Sequence, residues 1–319
     1  MKKFKKIAAV AMAVIMTCTM ASCGKKAKYT IGICQLVQHE ALDAATKGFK
    51  DALIKKLGDD VEFKEKNASG EATNCSTIIS QFVSSNVDLI MANATLPLTT
   101  AASATGDIPI VGTSITDYAT ALEIANWKGT TGMNVTGTAD LAPLKEQAAM
   151  IKELCPDEKN VGIIYCSSEA NSKYQADIIK EELENLGYTC KVYTFVDTND
   201  VAAVTQKAVD HSDVLYIPTD NTAASNTEAI NNITEPAKIP VFTGEEGICK
   251  GCGVATLSIS YYDIGYRAGE MAYKILEEGG KPEEMPIEYS TDLTKKYVAK
   301  RAETLKLTVP EDYEEIAID

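Results

Sequence analysis

Apolar positions along this chain follow two alternating rhythms. Residues 29–34, 61–64, 87–92 and 108–111 are short runs rich in β-branched and aliphatic side chains, and each predicts a strand. The run 87–92 (VDLIMA) is apolar almost throughout, the mark of a strand covered on both faces. Between the runs the spacing changes to that of a helix. Residues 39–57 place Leu42, Ala45, Phe49 and Leu53 on one face, and residues 73–83 predict a second helix. Strands alternating with helices predict parallel sheets built from βαβ units.

The order is then written again. Ile31-Gly32-Ile33 has a counterpart in Val161-Gly162-Ile163, Asp88-Leu89-Ile90 in Asp213-Val214-Leu215, and Ile108-Pro109-Ile110 in Ile239-Pro240-Val241. The offsets are 130, 125 and 131 residues, which predicts two lobes of one plan. Residues 130–135 read as the last strand of the first lobe, leading into a crossover. Pro143 then precedes a helix over Leu144–Leu154. After Phe242 the chain runs through 254–260 into a long helix with Ile264, Ala268, Met271 and Ile275 on one face, and 287–318 closes it. Parallel sheets bind ligands beyond the carboxyl ends of their strands. Two such lobes facing each other predict a cleft lined by both sets of loops.

The amino terminus departs from both rhythms. Lys2, Lys3, Lys5 and Lys6 precede the apolar run IAAVAMAVIM at 7–16, and small residues follow up to Ser22. A basic head, a short apolar core and a small-residue cut site predict an export signal over 1–22. The run is too short for the ~20 residues that a spanning helix needs. Ala21-Ser22-Cys23 resembles the lipobox of bacterial lipoproteins, with Met20 where Leu is usual. That resemblance implies cleavage before Cys23 and a lipid on its thiol. Cys18, preceded by Met16-Thr17, fits less well.

Without residues 1–22 the net charge moves from −14 to −18. Such a surface repels nucleic acid and favours solubility. Seven cysteines remain after Cys23, an odd number, so at least one is unpaired in a monomer. Cys34, Cys166 and Cys190 fall in strand-like runs and read as small core residues. Cys249-Lys250-Gly251-Cys252 lacks two further Cys or His ligands nearby and is flanked by glycines. It reads as a turn, with a local disulfide as one option.

Several stretches carry a family resemblance. They are QHEALDAA at 38–45, PLKEQ at 143–147, SSEANS at 167–172, PTDNT at 218–222 and FTGEE at 242–246. Together they resemble the substrate-binding lipoproteins of ABC importers, in the group that includes the tryptophan-binding TrpX-like proteins. The resemblance implies an α/β type I periplasmic-binding-protein fold of two doubly wound, parallel-sheet lobes joined by a hinge. It implies lobe one over 29–142 and 254–283, lobe two over 143–253 and 284–319, and residues 23–28 as a lipidated tether. It also implies an extracytoplasmic, lipid-anchored monomer that hands an amino acid, possibly aromatic, to a membrane permease. The ATPase would lie elsewhere, so no nucleotide, other cofactor or metal is expected. Glu40 stands where the family often has Pro, and Leu96 interrupts a Thr-Pro pair beside the expected pocket.

A zwitterion needs opposite receptors. Thr95, Thr113 and Ser114 on lobe one, and Ser167, Ser168 and Asn171 on lobe two, follow predicted strands and offer donors for a carboxylate. Each would serve equally as an ordinary cap or turn residue. Asp220 and Glu245, also at strand ends, are the candidates for an ammonium, with Asn221 beside the first and Glu169 a weaker choice. Asp220 equally suits a helix N-cap. Gln35 and His39 follow the first strand, and His39 reads as cap or contact. No GxSxG, HExxH or GxxxxGK[ST] is present, so no catalytic pattern competes. A sensor receptor feeding a signalling protein, or an enzyme using the same cleft, are the alternatives.

Overall fold

The computed structural model describes residues 27–141, 143–290 and 292–318. The expected export signal and Cys23 lie outside the described residues. Among the described residues no helix is long and apolar enough to cross a membrane.

The first lobe opens with β1 (Tyr29–Gln35), α1 (Glu40–Leu57), β2 (Val61–Asn67), α2 (Ala72–Ser84) and β3 (Leu89–Asn93). It continues with α3 (Thr95–Ala104), β4 (Ile110–Ile115), α4 (Tyr118–Ala121) and β5 (Val135–Ala139). α1 forms where the periodicity predicts it. Glu40 and Asp43 in its first turn and Lys55 and Lys56 in its last oppose the helix dipole. Gly58 ends it with φ 55°, a backbone state that glycine adopts without strain. The strands pair in the order β2, β1, β3, β4, β5, all parallel. Alternate residues serve opposite faces. Ile31, Ile33, Leu89 and Met91 meet α1, whereas Cys34 and Ile90 meet α2 and α3.

The second lobe holds α5 (Leu144–Leu154), β6 (Asn160–Cys166), α6 (Ala170–Asn185), β7 (Thr189–Phe195) and α7 (Val201–Val209). Then come β8 (Val214–Ile217), α8 (Asn221–Ala224), α9 (Thr227–Ala237), β9 (Val241–Thr243), α10 (Glu246–Cys252) and β10 (Ala255–Ile259). Its sheet runs β7, β6, β8, β9, β10 in parallel. Val161, Ile163 and Tyr216 pack with α5 and α6, and Ile164, Leu215 and Ile217 face α7 to α10.

The expected assignment of 254–283 to lobe one needs correction. β10 pairs with β9 in the second sheet, and only the next helix, α11 (Tyr261–Glu278), returns to lobe one. The reason is local. β10 is buried along its whole length, and the short route from β9 through α10 lays it beside its neighbour. The tail assignment changes too. β11 (Glu288–Tyr289) adds to β5 in the first sheet, and then β12 (Leu293–Tyr297), α12 (Ala299–Leu305) and β13 (Glu314–Glu315) complete the second lobe. β12 runs antiparallel to β10. The chain therefore passes between lobes after β5, after β10 and after β11.

Two smaller expectations shift. The last strand of the first lobe's parallel run begins at Val135 rather than Thr130, because residues 131–134 bend, with Gly132 at φ 67°. Cys249 and Cys252 lie on α10 rather than in a turn, both buried and unpaired. The Arg301 guanidinium closes that helix, donating to the carbonyls of Cys249, Lys250, Gly251 and Gly253.

α11 lies so close to α1 that side chains would keep them apart. A Cβ at Gly265 would sit 2.0 Å from the Ala45 carbonyl oxygen, and one at Gly48 2.1 Å from that of Tyr262. Lobe one is thereby fastened to the segment that emerges from the second crossover.

Candidate functional site

The carboxyl ends of the two sheets face each other across a narrow cavity between the lobes. Lobe one contributes His39, Leu42 and Ser114, and lobe two contributes Asn171, Thr219 and Asp220. Asn221, Ala224 and Glu245 add to the second wall, while Asp140 and Tyr261 close the crossover side. A wider groove opens outside it, lined by both lobes and meeting the cavity at Asn171 and Asn221.

Asp220 is 1% exposed and ends the stretch after β8. One carboxylate oxygen accepts from the Cys166 backbone N–H at 2.6 Å, and the other caps α8 by accepting from the Ala223 N–H at 2.7 Å. Ser172 donates a third bond. Burial, with the nearby Glu169 charge adding to it, still pushes the carboxyl up to about 8. The cap and the cavity wall are thus the same side chain. Glu245 is built alike. It is 3% exposed, caps α10 by accepting from Gly247 and Ile248 N–H at 2.6 and 2.5 Å, and is driven by burial to about 7. The structure offers neither carboxylate a salt-bridge partner among the described residues.

Ser114 contributes an unsatisfied group. It is 6% exposed, sits at φ 57°, and its Oγ has no hydrogen-bond partner among the described residues. A buried hydroxyl without a partner is costly, so a cavity that leaves one open is shaped for a polar guest. Asn171 donates to the Thr219 carbonyl at 3.1 Å and to Glu169 at 3.3 Å.

The lobes also touch directly. His39 Nε2 meets Asn221 Oδ1 at 3.2 Å, Gln175 Nε2 donates to Thr116 Oγ1 at 3.3 Å, and Lys250 meets Glu40 at 3.2 Å. These contacts hold the cleft shut.

Of the residues expected at the site, His39, Ser114, Asn171, Asp220, Asn221 and Glu245 line the cavity. Thr95 and Ser168 line the outer groove, where the Thr95 hydroxyl is buried without a partner and Ser168 donates to the Val196 carbonyl at 3.1 Å. Gln35, Thr113 and Ser167 turn to the protein instead. Gln35 donates to Asp43 at 2.7 Å and accepts from Thr46, Thr113 accepts from Thr138, and Ser167 donates to the Phe195 carbonyl. Gln35, the last residue of β1, is satisfied by α1, Thr113 within β4 by its neighbour in β5, and Ser167, just past β6, by the end of β7. Glu169 is no wall residue of the cavity. It accepts from the backbone N–H groups of Asn221 and Thr222 at 3.0 and 2.8 Å and from both side chains.

Sequence reasoning missed Asp140 and Tyr261. Asp140 accepts from the Tyr261 hydroxyl at 2.8 Å and from Thr116 at 3.2 Å, and burial raises its carboxyl. Its signal was available. Asp140 directly follows β5, the position that drew attention to Asp220, but the strand was expected five residues early.

Residues 30–318 match the family described as ABC transporter substrate binding protein. The tyrosine-binding protein of Clostridioides difficile is 34% identical over 284 residues, 88% of this chain and 81% of that protein. The structure of a Streptococcus pneumonia ABC domain in complex with L-Trp is 30% identical and superposes with a TM-score of 0.87, covering 92% of this chain and all of that one. A ligand-free, open substrate-binding protein with adhesive properties from Clostridium difficile is 33% identical but reaches only 0.70, over 91% of this chain and all of that one. At similar identity the lobes sit nearer to the ligand-bound arrangement than to the open one, as the shut cleft requires. The fold is that of the type I periplasmic binding proteins, and the chain belongs to the ABC transporter substrate-binding protein family.

Proposed function

We propose that this chain is an extracytoplasmic, lipid-anchored receptor that closes on an aromatic amino acid, tyrosine or tryptophan, and delivers it unchanged to a membrane permease. The observation that carries the reading is the cavity between the lobes, with Asp220 and Glu245 buried in its wall and no salt-bridge partner for either among the described residues. An ammonium supplies that cation. It lets the carboxyls ionise in a dry site, where the attraction is far stronger than in water. The ligand carboxylate then takes the lobe-one side, with the open Ser114 hydroxyl as donor. The C. difficile tyrosine-binding protein and the L-Trp complex support the amino-acid class. Asp220, Glu245 and Ser114 stand on different lobes, so a ligand that spans them stabilises the shut form over the open one. Cys23, after the export signal, is the proposed anchor.

Titration calorimetry with L-tyrosine, L-tryptophan, L-phenylalanine and an aliphatic control tests the class. Saturable binding of an aromatic amino acid, with a more compact scattering profile in the complex, is the expected outcome. Absence of heat with every amino acid tried would overturn the reading.

A further inference from the structure

Glu169, Asn221 and His39 form a chain of hydrogen bonds from lobe two to lobe one, and its chemistry fixes every proton. Glu169 Oε2 accepts from the Asn221 backbone N–H at 3.0 Å and from Asn221 Nδ2 at 2.7 Å. An acceptor at that place dictates the amide's orientation, because a flipped Asn221 would set oxygen against carboxylate. Asn221 Oδ1 therefore faces His39, and His39 Nε2 must carry a hydrogen to make the 3.2 Å contact. Burial disfavours the imidazolium, so the ring is neutral and its Nδ1 is a bare lone pair. That nitrogen is shut off from solvent and has no partner among the described residues, although His39 stands at the N-cap of α1, where its side chain makes no cap bond. It belongs to a side chain in the cavity wall.

We infer that His39 Nδ1 accepts a hydrogen bond from a donor on the ligand's side chain, a phenol O–H or an indole N–H, which makes His39 a specificity-determining residue. The inference rests on the amino-acid reading above. Glu169 and Asn221 are then positioning residues that hold the tautomer. A cavity acceptor left unmatched disfavours a ligand without a donor, because the buried lone pair then gains no hydrogen bond. Phenylalanine has the shape of tyrosine and lacks the donor.

Wild-type protein should bind L-tyrosine about tenfold to a hundredfold more tightly than L-phenylalanine. His39→Leu should bring the ratio close to one, chiefly by weakening tyrosine. In ¹⁵N spectra of the wild-type protein at neutral pH, His39 should show the neutral tautomer with hydrogen on Nε2. Equal affinity of the wild type for the two amino acids would overturn the inference and leave the amino-acid reading standing. So would an imidazolium, or hydrogen on Nδ1. Failure to bind tyrosine, tryptophan or any other amino acid would overturn both. The wild-type comparison and the spectrum decide the matter even if His39→Leu does not fold.

Discussion

Replacing Asp220 by Asn removes a charge and one acceptor while keeping the shape, and both losses can be sized. The carboxylate feeds two backbone donors, Cys166 N–H and Ala223 N–H, one on each oxygen. An amide has a single oxygen, so one buried N–H loses its acceptor and meets an NH₂ group. That costs about 1–3 kcal/mol of stability, a fall of several degrees in Tm. Binding loses more. Truncating one partner of a desolvated charge pair costs on the order of 2–5 kcal/mol, which is roughly thirtyfold to several-thousandfold in Kd. The proton balance gives a second, independent number. With the carboxyl at about 8, roughly nine in ten ligand-free molecules hold that proton at pH 7. An arriving ammonium favours the ionised form and expels it, so binding releases about one proton from Asp220. Affinity should then rise with pH by close to tenfold per unit up to about pH 8. Calorimetry at pH 7 in buffers of different ionisation enthalpy reads the release directly, and Asp220→Asn should remove most of it. If wild-type binding released no proton and Asp220→Asn bound within threefold of wild type, Asp220 would be a helix cap alone.

Three further outcomes follow from the geometry. Asp220 and Glu245 have folded-state values raised above the unfolded ones, so the stability of the ligand-free protein is greatest below about pH 4 for these groups and is lost as pH climbs through about 7 and 8; a Tm that fell by less with tyrosine present than without it would bear this out. Gly265→Ala forces a methyl to within 2.0 Å of the Ala45 carbonyl and should cost about 1–3 kcal/mol or more, read as a lower denaturation midpoint; an unchanged midpoint would mean that α1 and α11 part freely. Cys23→Ala should move the protein from the membrane fraction to the medium or periplasm, and retention at wild-type levels would remove the lipid anchor from the proposal.

Much of the fold was legible because burial on both faces leaves a visible trace. The runs around Ile31, Leu89, Val161 and Val214 are strands for the reason their composition suggests, and the repeated order foretold two lobes. The crossovers were less legible. Whether Ala255–Ile259 joins one sheet or the other depends on which edge is vacant, and no residue in that segment encodes the vacancy. At the site, the rule that ligands gather at strand ends found Asp220, Glu245, Ser114 and Asn171. It could not separate residues facing the cavity from residues such as Thr113, one pleat away, whose hydroxyl meets Thr138 instead. Asp140 escaped because a glycine-rich bend, Gly132 included, displaced the start of its strand.

The three passages of the chain between lobes bear on how the protein reaches its final state. Neither lobe is a contiguous piece of chain. The first sheet is not complete until Glu288–Tyr289 has been delivered to β5, and the α1 face stays bare until α11 has been made. Contacts this distant in sequence form slowly, because a long loop must close before any of them is rewarded. A nascent chain with this connectivity thus carries its own delay. Its amino-terminal half cannot lock into a finished lobe while the carboxyl-terminal third is still being synthesised. The same interleaving that joins the two lobes would keep the unfinished chain open until its last third has been made.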